Sequence, residues 1–238
     1  MFRKEIRLIG LKRCGKHALI NWMLDQRPFR NNTFHTKSKI KKNAIVPFTV
    51  NLEQMGSAEN VVCTYEDVHM PLLGGKRLLN SKASELVYLL LLRDPFNCFA
   101  SRLVWPWGKT AGQHLDKKNK DLIVNIWKSN AKEFLGRTKY LPNKILVNYN
   151  RWFSNVEYRK EISALMGLEF SDKGLNMVTT HGEGSSFSNT KYDGAAQKMK
   201  VLQRYKEVLN DALYRSIFKD KELIKLANAI FKIRPKGL

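Results

Sequence analysis

The stretch Gly10-Leu-Lys-Arg-Cys-Gly-Lys-His17 constrains the fold of this chain more than any other. It follows an alternating run, Glu5 to Ile9, and leads into His17 to Gln26, where apolar residues fall at helical spacing until Pro28 stops them. A strand that turns into a helix through glycines aims several backbone N–H groups at one point. The helix N-terminus adds the positive end of its dipole, so a phosphate is welcome there. Lys12, Arg13 and Lys16 strengthen that preference. The pattern fits G-x-x-x-x-G-K-[ST] through Lys16 and fails at His17, which has no hydroxyl to offer magnesium.

The rest of the chain alternates in the same way. Asn60 to Thr64 reads as a short strand. Ser84 to Leu92 is an apolar run without alternation and reads as a strand buried on both faces. Pro95 sits near the first turn of a helix over Phe96 to Leu103. A helix is predicted from Leu122 to Leu135 and a strand over Lys144 to Tyr149. An amphipathic stretch then runs through Leu165 and ends at Gly167. Phe29 to Val50 is basic and aperiodic and reads as a long surface excursion, and Trp105 to Lys120 and Thr179 to Asn189 read as loops. Helices are predicted over Ala195 to Leu209 and Lys221 to Ile233. Strands alternating with helices imply an α/β fold of the P-loop-containing, nucleotide-binding-like kind, three layers with a mainly parallel central sheet.

Charge narrows the ligands. The chain carries 42 Lys and Arg against 21 Asp and Glu, a net charge of +21. Such a field attracts polyanions: nucleic acid, anionic headgroups, sulfated glycans or a highly charged nucleotide. Three scattered cysteines, Cys14, Cys63 and Cys98, suit neither a disulfide framework nor a zinc site, and point to a reducing compartment. The N-terminus lacks the pattern of a secretory signal, and the longest apolar run, Leu86 to Leu92, is far short of the roughly 18 residues of a membrane span. A soluble, cytoplasmic protein is expected.

A second anion site is legible in Arg93-Asp-Pro-Phe-Asn-Cys-Phe-Ala-Ser101. The arginine stands at a strand end and the serine eight residues on, about two turns into the next helix. Both can reach one anion beside the sheet edge, Arg93 by a forked charge-assisted contact and Ser101 by its hydroxyl.

The pair of motifs, in this order, resembles the sulfotransferases that use 3′-phosphoadenosine 5′-phosphosulfate (PAPS). Arg13 to His17 carry the likeness to the 5′-phosphosulfate loop, and Arg93 with Ser101 to the 3′-phosphate motif. Ile145 to Trp152 is similar to the family's strand before a Tyr-Glu-Asp-type turn. Gly182 to Phe187 followed by Leu202 to Leu209 is similar to its nucleotide-closing loop. The resemblance implies one sulfotransferase-like domain over 1–238, PAPS as co-substrate with PAP as product, and no metal. It implies Arg13 as the cation on the bridging oxygen of the leaving phosphate, with Lys12 in that role if the register shifts by one. Cys14, Gly15, Lys16 and His17 would contact the 5′-phosphate, Tyr149 the adenosine, and Ser185 and Ser186 the closing nucleotide pocket. Lys16 and His17 depart from the Thr or Ser common there.

The base is less constrained. In the stretch Val61 to Met70, Tyr65 falls where many cytosolic members place a histidine, and Glu66 follows. Glutamate serves as base in the family's glycan-modifying branch, which favours Glu66, with Asp67 and His69 as alternatives. A small-molecule P-loop kinase would explain the first loop only and lacks a magnesium ligand. A nucleic-acid-binding protein would explain the charge, with Trp105 to Lys109 the one basic-aromatic hint, so no stable nucleic-acid partner is expected. The surplus charge favours an acceptor that is anionic or contains carbohydrate, with Trp105, Trp107 and Trp127 as candidate sugar-stacking rings.

Overall fold

The computed structural model describes residues 3–30, 33–37, 39–41, 44–46, 58–73, 83–105, 114–178, 184–233, 235 and 237–238, with backbone alone for 34–37, 39–41 and 44–46. Five strands form one sheet: β1 (Lys4–Gly10), β2 (Thr33–Lys37), β5 (Asn60–Glu66), β6 (Glu85–Leu92) and β7 (Lys144–Asn148). They lie in the order β2-β5-β1-β6-β7, and every neighbouring pair is parallel. The excursion expected over Phe29 to Val50 is in part sheet. It supplies β2 at the edge, then β3 (Lys39–Lys41) and β4 (Ala44–Val46), an antiparallel pair of their own. Its lysines hid the strand because an edge strand tolerates charge that a central one does not.

The apolar run of β6 is buried as its lack of alternation predicts, Leu89 to Leu92 all being inaccessible. Ile6, Leu8, Val62, Leu89 and Leu91 face the larger core, which contains helix α1 (Lys16–Leu24). Ile9, Cys63, Tyr65, Tyr88 and Leu90 face a smaller core on the other side, closed by Val68, Met70 and Leu141. Glu5 and Arg7 also lie buried on β1. They neutralise each other, Arg7 Nε donating to Glu5 Oε1 at 2.6 Å, and the guanidinium lies 5.7 Å from the Tyr88 ring centroid.

Helix α2 (Pro95–Leu103) starts on Pro95, and the Asp94 carboxylate accepts the Asn97 N–H at 2.8 Å. Then follow α3 (Lys120–Phe134), α4 (Tyr149–Ser154) and α5 (Val156–Leu165). The last two are separated at Asn155, whose side chain caps α5 by accepting the Tyr158 N–H. The helix expected over Ala195 to Leu209 does not form. Short 3-10 turns at Ala196–Lys198 and Arg204–Val208 stand in its place. Chain packing sets this course: the Tyr205 N–H donates to Asn97 Oδ1 at 3.3 Å and the Tyr214 hydroxyl to the Phe96 carbonyl at 2.8 Å, fastening the segment along α2. Helices α6 (Ala212–Ile217) and α7 (Lys221–Phe231) close the chain. Among the described residues no helix is long and apolar enough to cross a membrane.

Candidate functional site

The chain leaves β1 to build β2 and β5 on one side, then crosses to β6 and β7 on the other. This reversal opens a crevice at the carboxyl ends of β1 and β6, where open parallel sheets bind ligands. Nearly all the candidate residues leave the sheet there: Gly10 to His17 after β1, Glu66 and Asp67 at the end of β5, Arg93 after β6 and Tyr149 after β7.

The loop after β1 is shaped for an anion. Arg13 (φ 64°) and Gly15 (φ 93°) both take left-handed conformations, and Gly15 is the N-cap of α1 without any side-chain cap. A helix start without a side-chain cap is a place where backbone N–H groups can take an anion. Glycine is required twice over at position 15, because a Cβ there would lie 2.1 Å from the Tyr149 ring. That ring, 3% exposed, walls the loop from behind and lies under the Arg93 guanidinium at 5.1 Å. Its contacts are with the loop, Arg93, Trp152 and Phe153. Burial raises the pKa of its phenol.

Asp67 ties this loop to its neighbours. Its N–H donates to the Gly10 carbonyl at 3.2 Å, and its carboxylate accepts the Lys12 N–H at 3.0 Å. The same carboxylate takes a forked contact from Arg102 of α2 at 2.7 and 2.8 Å. Burial opposes its ionisation, but Arg102 and Lys12 prevail and hold its pKa below the usual carboxylate value. Asp67 is thus a clamp, and His69 stands exposed at the start of a 3-10 turn. Glu66 forms a close ion pair with Lys16, whose ammonium also donates to the Leu11 carbonyl at 3.4 Å. The Arg13 guanidinium donates to the Gly184 carbonyl at 2.8 Å and lies 5.2 Å from the Trp105 ring centroid.

The second site is a knot of two arginines and two hydroxyls. Arg93 is 2% exposed. Its Nη1 donates to Ser101 Oγ at 3.3 Å and to the Arg13 carbonyl at 3.1 Å, and its Nη2 to the Val201 carbonyl. Trp127, named above as a stacking ring, is instead fully buried, and its Nε1 donates to the Arg93 carbonyl at 2.9 Å. Arg204 donates to Ser101 Oγ at 3.0 Å and to Ser185 Oγ at 2.8 Å, over the Phe187 ring. Among the described residues neither arginine is ion-paired to a carboxylate, and Arg93 Nε and Ser186 Oγ are buried without a hydrogen-bond partner. Burial, and after it the repulsion from Arg93, push the Arg204 pKa down to about 9. Two buried cations facing two hydroxyls, with no carboxylate ion-paired to either among the described residues, could hold a dianion.

Lys12 to His17, Arg93, Ser101, Tyr149, Ser185 and Ser186 therefore gather around one crevice, while Trp107 and Gly182 lie outside the described residues. Sequence reasoning missed Arg204, Arg102 and the clamping role of Asp67. Arg204 stands in a stretch whose periodicity suggested a helix, so nothing local aimed its side chain at residue 101.

A parallel α/β sheet in this strand order, with a glycine loop joining its central strand to the first helix, is a P-loop-like fold. The sulfotransferase domain of the Synechococcus PCC 7002 olefin synthase shares it, with a TM-score of 0.53 and 12% identity over 98% of this chain and 96% of that domain. The sulfotransferase domain from the curacin biosynthetic pathway superposes with a TM-score of 0.49 at 14% identity, over 77% of this chain and 66% of that one. A sulfotransferase from Alicyclobacillus acidocaldarius superposes with 0.45 at 10%, over 100% and 99%. No family profile and no curated protein sequence matches the chain. The fold is that of a sulfotransferase domain.

Proposed function

We propose that this chain is a PAPS-dependent sulfotransferase, a single cytoplasmic domain that moves a sulfuryl group to a hydroxyl or amine of its acceptor. The observation that carries the reading is that the glycine loop and the Arg93–Arg204 pair lie in contact, Arg93 Nη1 donating both to the Arg13 carbonyl and to Ser101 Oγ. The loop over Gly10 to His17 suits the 5′-phosphosulfate, and Arg93, Arg204, Ser101 and Ser185 suit a second phosphate, the 3′-phosphate of the same nucleotide. A P-loop kinase would use the first site and leave the second without purpose.

In this reading the acceptor oxygen or nitrogen attacks sulfur as the bond from sulfur to the bridging phosphate oxygen breaks. The electron pair of that bond passes to the bridging oxygen. Arg13, with Lys12 beside it, and the N–H groups at the start of α1 stabilise the charge that grows there. Glu66 takes the acceptor's proton, since Asp67 is committed to Arg102 and His69 faces solvent. Tyr149 fixes the loop and Ser185 fixes Arg204. The transfer needs no metal in this scheme. The net charge of +21 supports an acceptor that is itself anionic or bears carbohydrate.

Calorimetric titration with PAP, without magnesium, tests the reading. Binding that is largely lost in Arg93→Ala supports it; binding of ATP with magnesium but not of PAP refutes it.

A further inference from the structure

We infer that the Lys16 side chain serves Glu66 rather than the donor phosphate, as a positioning residue that joins the proposed base to the phosphate loop. The inference rests on the sulfotransferase reading above and deepens it. In a G-x-x-x-x-G-K loop the lysine is expected to reach forward to the phosphates. Here its side chain is 3% exposed and its ammonium turns back, spanning from the Leu11 carbonyl at 3.4 Å to Glu66 Oε1. Glu66 ends β5 and Lys16 opens α1, so one contact fixes the glutamate against the first turn of the helix that cradles the 5′-phosphate.

The surroundings explain why this contact is needed. Among the described residues, the charged and titratable groups facing Glu66 include Lys16, the Cys14 thiol in the loop, Arg102 from α2 and Asp67 next to it in the chain. Arg102 is committed to Asp67 by two hydrogen bonds. Lys16 is therefore a cation that holds the Glu66 carboxylate in place at a position 10% exposed. During transfer the proton moves from the acceptor hydroxyl to Glu66 while Lys16 keeps its own. The donor loop and the base then move as one unit, which fixes the distance across the in-line reaction path.

Lys16→Met, Lys16→Arg, Glu66→Gln and the double variant Lys16→Met/Glu66→Gln separate the possibilities. PAP affinity is measured by calorimetry, and turnover as sulfate released from PAPS with water as acceptor. The positioning role expects PAP affinity within about threefold of the wild type in all three single variants. It expects turnover to fall roughly 100-fold in Glu66→Gln and at least about tenfold in Lys16→Met, to recover in Lys16→Arg, and to fall no further in the double variant. A Lys16→Met variant that loses PAP while Glu66→Gln binds it more tightly overturns the inference, because Lys16 is then a phosphate cation restrained by Glu66. Penalties that multiply in the double variant overturn it too. Should Lys16→Met not fold, Glu66→Gln alone decides by its PAP affinity, unchanged or tightened. A wild type that binds no PAP refutes the sulfotransferase reading itself, whatever the variants do.

Discussion

Arg93 and Arg204 donate to the same acceptor: Ser101 Oγ takes Arg93 Nη1 at 3.3 Å and Arg204 Nη1 at 3.0 Å. Two guanidinium groups held on one hydroxyl, inside the protein, repel each other. The arrangement costs stability until an anion arrives, so ligand affinity and the stability of the empty protein are opposed at this point.

Arg204→Met should therefore weaken PAP binding by about 1.5–3 kcal/mol, roughly 10- to 100-fold. The same substitution should leave the thermal midpoint of the ligand-free protein equal to or above that of the wild type. Scanning calorimetry with and without PAP checks both halves, and a variant with lower stability and full affinity would contradict them.

The depressed pKa of Arg204, about 9, predicts proton uptake on binding. An anion beside Arg204 raises its pKa, so near pH 9 each PAP bound should take up part of a proton, and affinity should fall as pH rises through 9. Titrations in two buffers of different ionisation enthalpy measure the uptake. For stability the sign is opposite. The folded pKa lies below the unfolded one, so the unfolded chain binds more protons above pH 9 and the burial penalty is relieved as pH rises. Wild type minus Arg204→Met isolates that gain.

Breaking the Asp67 clamp should unlock the phosphate loop. Asp67→Asn takes from buried Arg102 the carboxylate of its forked contact, at a cost of about 3–5 kcal/mol, and PAP affinity should drop with it. The Asp67 pKa is lowered in the folded state, so its contribution is present above 3.8 and is lost as pH falls below that value. Acid unfolding of wild type and Asp67→Asn should converge there.

Gly15→Ala meets two obstacles, the Tyr149 ring and a positive φ. Combining it with Tyr149→Ala should remove the first and leave the second, about 1–2 kcal/mol. The expected result is a Gly15→Ala penalty, measured against Tyr149→Ala alone, that is smaller than in the wild type but not zero. A penalty of zero there would mean that the ring alone demands glycine.

How much of this could be read in the chain depends on how local each signal is. The phosphate loop, the buried strand β6 and the Arg93–Ser101 spacing are written in consecutive residues, and the structure has each of those elements. Strand β2 was not legible because edge strands obey charge rules that resemble those of loops. The turns at Arg204–Val208 were not legible either, since their course is set by Asn97 and Phe96 on α2. Lys16, Asp67 and Trp127 were visible as residues but not in their contacts, which are made across elements distant in sequence.

The central place of β1 has a consequence for synthesis. The loop after β1 is synthesised well before its neighbours: the sheet around it needs β6 and β7, and the arginine pair that shares Ser101 needs Arg204. Before Tyr149 has been made the loop lacks the ring that walls it, and before residue 204 the Arg93–Ser101 contact lacks its second arginine. The candidate site is therefore completed in a fixed order, the glycine loop first and the paired arginines last.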